Sequence, residues 1–438
     1  MDWKPVPRRG TLGGVQREAS SADFAWARSG AMALSGRPEG APRLAPAPLA
    51  AFAEREASRL RTLAPHVEID GGALLGERAA LAGLTRRGRT APGGACQLLR
   101  ARDGWLAVNL ARSDDSTLIP AWLETDHPGA LETELARRSA DTLISRARLL
   151  GLAVAPADPR RTVDAHPPHR FRLRGPARAR ADRGGPRVVD LSALWAGPLC
   201  GQLLGLAGGQ ITKVECRTRP DGARFGNREF YDLLNGEKAS VGLDFRDDGD
   251  RQRLLRLLRQ ADIVIESARP RALRQLGIDA EACVRENGNL WVSITGYGRG
   301  APEEDWIAFG DDAAAAAGLC AAAGDEVGPL FCGDAIADPL AGLHAAVAAL
   351  EAWSTGTAGL IDVSLCGIVA HILAERAACG RSRVDPVGDP NLERWQVRSG
   401  DSTQPVRLPR ARRASQRARP LGADTATVLE AAQLSAAC

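Results

Sequence analysis

From Val188 to Tyr297, short apolar runs alternate with helix-like segments, and this alternation constrains the fold more than any other feature of the chain. VVDL, ITKVE, VGLDF, ADIVIE and LWVSITGY are rich in β-branched residues and each fits a buried strand. AGPLCGQLLGLAG and RQRLLRLLRQ lie between them and carry helical spacing. Strands that are apolar on both faces and joined by helical crossovers predict a mostly parallel sheet covered by helices. The fold class expected is therefore α/β, with a Rossmann-like parallel sheet. A smaller α+β unit is expected in the front half, where QLLRARDGWLAVNL reads as two strands about an Asp103-Gly104 turn.

The rest of the chain divides around that region. Residues 1–69 combine a polar tail with a helical pattern near 50–63, and 70–156 form the smaller α+β unit. Residues 157–187 hold nine arginines and five prolines with no apolar periodicity, and read as a solvated linker. Residues 188–380 are the main domain. Residues 381–438 are an arginine- and proline-rich extension with a helical pattern near 424–436.

Composition removes several classes of function. The chain has 438 residues, 44% hydrophobic and 25% charged, enough to bury several cores without staples. A net charge of +4 suits small anions and does not require nucleic acid. The basic linker has only Phe171 as an interleaved aromatic, so no nucleic-acid partner is expected. No apolar run is long enough to span a bilayer and the start lacks a signal-peptide core, so no membrane partner and a cytoplasmic location are expected. Nine cysteines include no CxxC pair and six histidines show no ligand spacing, so no metal site is expected. GxGxxG, P-loop and GxSxG motifs are missing.

Three local signals bear on chemistry. Gly197-Pro198 opens a helix after a strand, a place suited to an anion and equally to an ordinary turn. In GDAIADPLAGLHAAVAALEAW, Asp338 precedes Pro339 and a long apolar helix. Asp338 then reads as an N-cap with proline at N1, and either caps the helix or is a carboxylate kept ionised by the helix dipole. His344 on that helix is read as packed rather than catalytic. Finally, DFAWARSGAMALSGRPEG from Asp23 echoes DDAAAAAGLCAAAGDEVG from Asp311 at an offset of 311 − 23 = 288. The offset places Gly30, Gly36 and Gly40 on Gly318, Gly324 and Gly328, which suggests a partial duplication.

Residues 187–364 resemble CoA-transferase family III, the group of formyl-CoA transferase, carnitine CoA-transferase and α-methylacyl-CoA racemase. The resemblance rests on five pieces in family order: VVDLSALWAGPLCGQLLGLAGGQITKVE, LLNGEKASVGLDF, ADIVIESARPRALRQLGI, NLWVSITGYGRGAP and IADPLAGLHAAVAALEAWSTGTAGLIDVSL. It implies that Asp338, in the D-x-x-x-G pattern with Gly342, is the catalytic nucleophile; Asp334 is a neighbour out of register. Coenzyme A contacts are implied at Trp195 and Ala196, at Leu243 to Arg246, at Ser267, Ala268 and Arg269, and at Thr295, Gly296, Tyr297 and Gly298. Cys216 and Gln275 stand where some members have arginine, with Arg217, Arg219 and Arg274 as neighbouring substitutes.

The family's small domain follows its catalytic region. Here APGGACQLLRARDGWLAVNL and LGLAVAP resemble that domain's start and end but precede the sheet, so the small domain is expected to be permuted to the front. Gly93 and Gly94 then match a mobile glycine lid, or are a plain turn. Residues 23–40 would be a remnant of a duplicated active-site region. The position matching Asp338 there is Ala50, so that copy has no nucleophile.

The resemblance implies an enzyme that moves coenzyme A from an acyl-CoA to a carboxylic acid through an aspartyl anhydride and an aspartyl-CoA thioester. Acyl-CoA and carboxylic acids would be its substrates, with no tightly bound cofactor and coenzyme A arriving as part of the substrate. A homodimer is expected. Two alternatives stand beside this reading: a racemase or isomerase of the same family, and a non-catalytic CoA-binding protein. Racemases place a histidine one residue before the aspartate that Asp311 matches, and that position is Gly310. The intact Asp338 argues against a non-catalytic protein.

Overall fold

The computed structural model describes residues 12–126, 129–158, 167–177, 184–375, 382–387 and 394–437. A three-stranded antiparallel sheet comes first: β1 (Cys96–Ala101), β2 (Gly104–Asn109) and β3 (Ala153–Pro156). Ala101 pairs directly with Gly104, so the β1–β2 turn residues are Arg102 and Asp103, one position earlier than expected. The Ala140–Leu150 helix covers this sheet, with Leu143, Ile144 and Ala147 in its core.

The large sheet holds β4 (Arg170–Pro176), β5 (Arg187–Asp190), β6 (Gln210–Cys216), β7 (Ala239–Leu243), β8 (Ile263–Glu266), β9 (Leu290–Thr295) and β10 (Thr357–Ser364). Its order is β4-β10-β9-β8-β5-β6-β7, and every neighbour pair is parallel except β4 against β10. All of β8 and β9 is buried, as the uninterrupted apolar runs of the sequence require. β4 corrects the linker reading. Phe171 and Leu173 alternate with Arg170, Arg172 and Arg174, a period-two pattern hidden by the arginines, and the strand closes one sheet edge.

The third sheet, β11 (Arg383–Pro386), β12 (Trp395–Ser399) and β13 (Ser402–Pro405), is antiparallel, and the Thr425–Ala437 helix packs beside β7.

The echo in the sequence is an echo in space. Helices begin at Leu49 and Ala337, and 49 + 288 = 337. These two helices pack on each other. Gly30 and Gly318, also 288 apart, each precede a short helix in the left-handed region, at φ 85° and 95°. Gly36 and Gly328 are left-handed as well, but their counterparts are not. Two pairs of matching positions touch: Arg37 binds Asp325 at 3.0 Å and His344 binds Glu56 at 2.9 Å. Residues that meet their own counterparts mark a local pseudo-two-fold axis. Across it the two halves pack on different strands. The Gly310–Ala316 helix packs on β2 and β3, whereas the Leu12–Ser29 helix packs on β12 and β13.

Candidate active site

In an open parallel sheet, ligands bind outside the carboxyl ends of the strands, where the strand order reverses. Here β5 has β6 on one side and β8 on the other, so the reversal lies between β5 and β8. The backbone N–H of Ala193, after β5, donates to the Ser267 hydroxyl, after β8, at 3.1 Å. A buried charge cluster fixes the first of these loops. Lys213 donates to the Ser192 carbonyl and to Asp221, each at 2.9 Å, and Lys238 donates to Asp190 at 2.7 Å. Leu194 is thereby held in the left-handed region at φ 70°.

Asp338 lies at this edge of the molecule. The helix it opens runs Ala337–Ser354, so Asp338 is its second residue rather than its N-cap, and Pro339 is the third. The carboxylate does not cap its own helix. The backbone N–H groups of Ala196 and Gly310, each the first residue of another helix, favour its ionised form. Three helix starts therefore converge on one carboxylate, where N–H donors and dipoles favour negative charge. Two close approaches allow it. A Cβ at Gly310 would overlap Asp338 Oδ2, and a Cβ at Gly342 would overlap the Ala196 carbonyl oxygen.

The pattern suggested a carboxylate kept ionised, but the surroundings act the other way. Burial raises the Asp338 pKa to about 7, with Arg78 pulling it down and Asp334 pushing it up. Asp311 is raised to about 8 by burial and by Asp334. Asp312 is raised to about 7 by burial, while Asn109 donates to it at 2.7 Å. Among these four carboxylates Asp334, Asp312 and Asp311 are buried, at 0%, 0% and 8% exposed, whereas Asp338 keeps partial exposure.

Arg78, from the Glu77–Ala82 helix of the front half, was not singled out from the sequence. It grips Asp334 through Nε at 2.8 Å and Nη2 at 2.6 Å. Its guanidinium lies 5.3 Å from the Trp195 ring centre. A Cβ on Gly93 would stand 2.8 Å from Arg78 Nη2 and 3.5 Å from Asp334 Oδ1. Gly93 thus lies against the carboxylate cluster that contains Asp338, in the same chain, whereas Gly94 faces Arg87.

The residues expected to contact coenzyme A spread along the strand ends. Trp195 caps the Ala196–Leu206 helix and is buried. Leu243 ends β7 fully buried and exposes no side chain to a ligand. Arg217 is held by Asp250 at 2.6 Å, Arg246 by Asp244 at 3.4 Å and Arg274 by Glu304 at 2.8 Å. Ala268 donates to Glu266 at 2.7 Å. Thr295 ends β9, and its hydroxyl accepts from the Gly298 N–H at 2.8 Å; Gly298 has φ 99°. Gly296 packs against Ala308, and Tyr297 meets Trp306 edge-on at 5.4 Å. Gly94 is left-handed, at φ 87°.

A cleft of about 580 Å³ opens between the front α+β unit and the large sheet. Arg269, Arg219, Arg271, Arg112 and Arg148 line it, with Trp306 on its wall. Arg246 and Arg217 are not among its lining residues. Arg148 stacks 3.3 Å from the Trp306 ring centre. Ile307, also on the wall, lies three residues before Gly310, so one loop joins the arginine cleft to the Asp338 carboxylate. Arg112, Arg148 and Arg271 carry no local motif and were missed for that reason.

His344, read as packed, is buried, bonded to Glu56 and in contact with His169 at 2.9 Å. Among the described residues no group of His, Cys, Asp and Glu could hold a metal ion, and no helix is long and apolar enough to cross a membrane.

Fold and site together define an α/β protein with an arginine-lined crevice at the carboxyl edge of its sheet and a carboxylate at a helix start. Residues 184–396 match the model of CoA-transferase family III. An acyl-CoA transferase of Fusarium pseudograminearum is 30% identical over 202 residues, 41% of this chain and 44% of the relative. The succinyl-CoA–D-citramalate CoA-transferase of Chloroflexus aurantiacus is 31% identical over 201 residues, 43% of this chain and 49% of the relative. The chain thus spans about half the length of these curated relatives. A CAIB/BAIF family protein of Brucella suis, of known structure, is similar at 28% identity with a TM-score of 0.41, over 44% of this chain and 56% of that one.

Proposed function

We propose that the chain is an acyl-CoA:carboxylate CoA-transferase with Asp338 as its nucleophile. The observation that supports this most is the contrast within the carboxylate cluster. Asp338 is the most exposed of the four, and the first N–H groups of two other helices favour its ionised form.

The chemistry follows from that placement. Ionised Asp338 attacks the thioester carbonyl of an acyl-CoA, the C–S bond breaks, and a mixed anhydride and CoA thiolate result. The thiolate attacks Cγ of Asp338, the donor's carboxylate leaves, and an aspartyl-CoA thioester remains. An acceptor carboxylate attacks Cγ and expels the thiolate. The thiolate then attacks the acceptor's acyl carbon, releasing the new acyl-CoA and free Asp338. The N–H groups of Ala196 and Gly310, which favour the ionised carboxylate, are suited to the oxyanion that develops at Cγ. No proton need be transferred, which fits a site with no free histidine beside Asp338 among the described residues.

The arginine cleft would take the phosphates of coenzyme A, with Arg269 and Arg219 on the sheet side and Arg148 on the other. Coenzyme A enters as part of the substrate, with no tightly bound cofactor. Gly93 and Gly94 would form the lid over Asp338. Nothing in the site calls for a second chain, so a homodimer would leave each site complete.

Gly310 disfavours the racemase reading, because a side chain there would occupy the space of the Asp338 carboxylate. The matched relatives are named for succinyl-CoA, formyl-CoA and acetyl-CoA exchange with D-citramalate, glutarate or oxalate. The test is to incubate the protein with those three thioesters and with succinate, glutarate or oxalate, reading products by mass spectrometry. New acyl-CoA is expected for at least one pair; none with any pair would overturn the proposal.

A further inference from the structure

We infer that Arg78 binds the free carboxylic acid substrate, and so is the residue that brings the acceptor to Asp338. The inference rests on the CoA-transferase reading and adds the acid's binding group.

The acid must approach a region rich in carboxylates, where Asp334, Asp311, Asp312 and Asp338 lie close enough to perturb one another. An anion enters such a region only beside a cation. Arg78 is the cation that acts on Asp338, and it acts on Asp311 and Asp334 too. Burial opposes its charge, but Asp334 more than compensates, so it remains a guanidinium.

Its geometry leaves a binding face free. Asp334 takes Nε and Nη2, while Nη1 makes no hydrogen bond to the described residues. The side chain is 30% exposed although Asp334 beneath it is 0% exposed, so one edge of the guanidinium opens outward. Trp195 stacks against it and fixes its plane. The Trp195 Nε1–H is buried without a hydrogen-bond partner among the described residues, a second donor beside the same guanidinium. Gly93 lets the loop pass against Arg78 Nη2, where any side chain would crowd it.

The role fits the chemical step. With Asp338 present as its CoA thioester, the acid held on Arg78 attacks Cγ, and the C–S bond breaks with its electrons on sulfur. When the thiolate has reacted with the acceptor's acyl carbon, the Asp338 Oδ leaves as a carboxylate and Arg78 is free for the next acid.

The test uses the thioester and acid found active in the panel above, so failure of the transferase reading shows there first, as absence of exchange by the parent protein. Arg78→Lys keeps a cation beside Asp334 but loses the fixed fork. It is expected to raise the KM for the acid at least roughly tenfold and that for the acyl-CoA less than about threefold. Methylguanidinium should restore acid-dependent turnover in Arg78→Ala. A measurement on the parent protein does not depend on a variant folding. Cyclohexanedione modification of Arg78, read by peptide mass spectrometry, should slow when succinate, glutarate or oxalate is present. A parent protein that exchanges, with an unchanged acid KM in folded Arg78→Lys or with equal labelling of Arg78 with and without the active acid, would overturn the inference.

Discussion

The missing side chain of Gly310 is the space that the Asp338 carboxylate occupies: a Cβ there would stand 2.3 Å from Asp338 Oδ2. Gly310→Ala must therefore displace the carboxylate, and it also presses on the Ala335 carbonyl at 2.5 Å. Turnover is expected to fall at least about 100-fold, the usual consequence of misplacing a reacting group by an ångström. The check is kcat in a variant whose thermal unfolding is compared with the parent.

Gly342 acts on the same site through packing. Its lack of a Cβ lets the Ala337–Ser354 helix approach the Ala196 carbonyl, which sets the distance between Asp338 and the Ala196–Leu206 helix. Gly342→Ala should cost about 1–3 kcal/mol of stability through overpacking. Denaturant unfolding measures it, and a change under about 0.5 kcal/mol would mean that the two helices slide apart freely.

Acidity gives a third expectation. Asp311 is raised to about 8, and Asp312 and Asp338 to about 7, above the roughly 3.9 of an unfolded chain. The folded protein then binds more protons than the unfolded one between about pH 4 and 8, so stability falls as pH rises through that window. Asp312→Asn, which keeps an oxygen for Asn109 and Phe309, should flatten this fall. Only ionised Asp338 is nucleophilic, so turnover should rise with pH through about 7 while stability declines. Thermal melts and a pH–rate profile read the two trends separately.

The fourth concerns the cleft. Arg269→Ala should weaken coenzyme A binding roughly tenfold, about 1.4 kcal/mol, and reduce its sensitivity to salt. Arg246→Ala, outside the cleft and paired with Asp244, should change it much less. Calorimetry at two salt concentrations tests both.

How much of this was legible in the sequence varies with the range of the interaction. The parallel strands were, because each is a continuous apolar run between helical segments. The echo at 288 was too, and the paired Arg37–Asp325 and Glu56–His344 contacts give it a spatial meaning. β4 was hidden because arginines alternate with Phe171 and Leu173, so composition suggested a linker. Arg78 was invisible because its partner Asp334 is 256 residues away and nothing local marks the pair. The raised pKa of Asp338 was missed for a related reason. A helix start favours the ionised form, but burial and Asp334 come from the assembled fold and outweigh it.

The central claim is that acyl transfer passes through a covalent bond to Asp338, and intact-protein and peptide mass spectrometry after rapid quenching with acyl-CoA test it most directly. The account predicts a coenzyme A adduct on the peptide containing Asp338, lost in Asp338→Ala together with all but about a thousandth of the turnover. Turnover that persists in Asp338→Ala, or an adduct that maps to another residue, would contradict it.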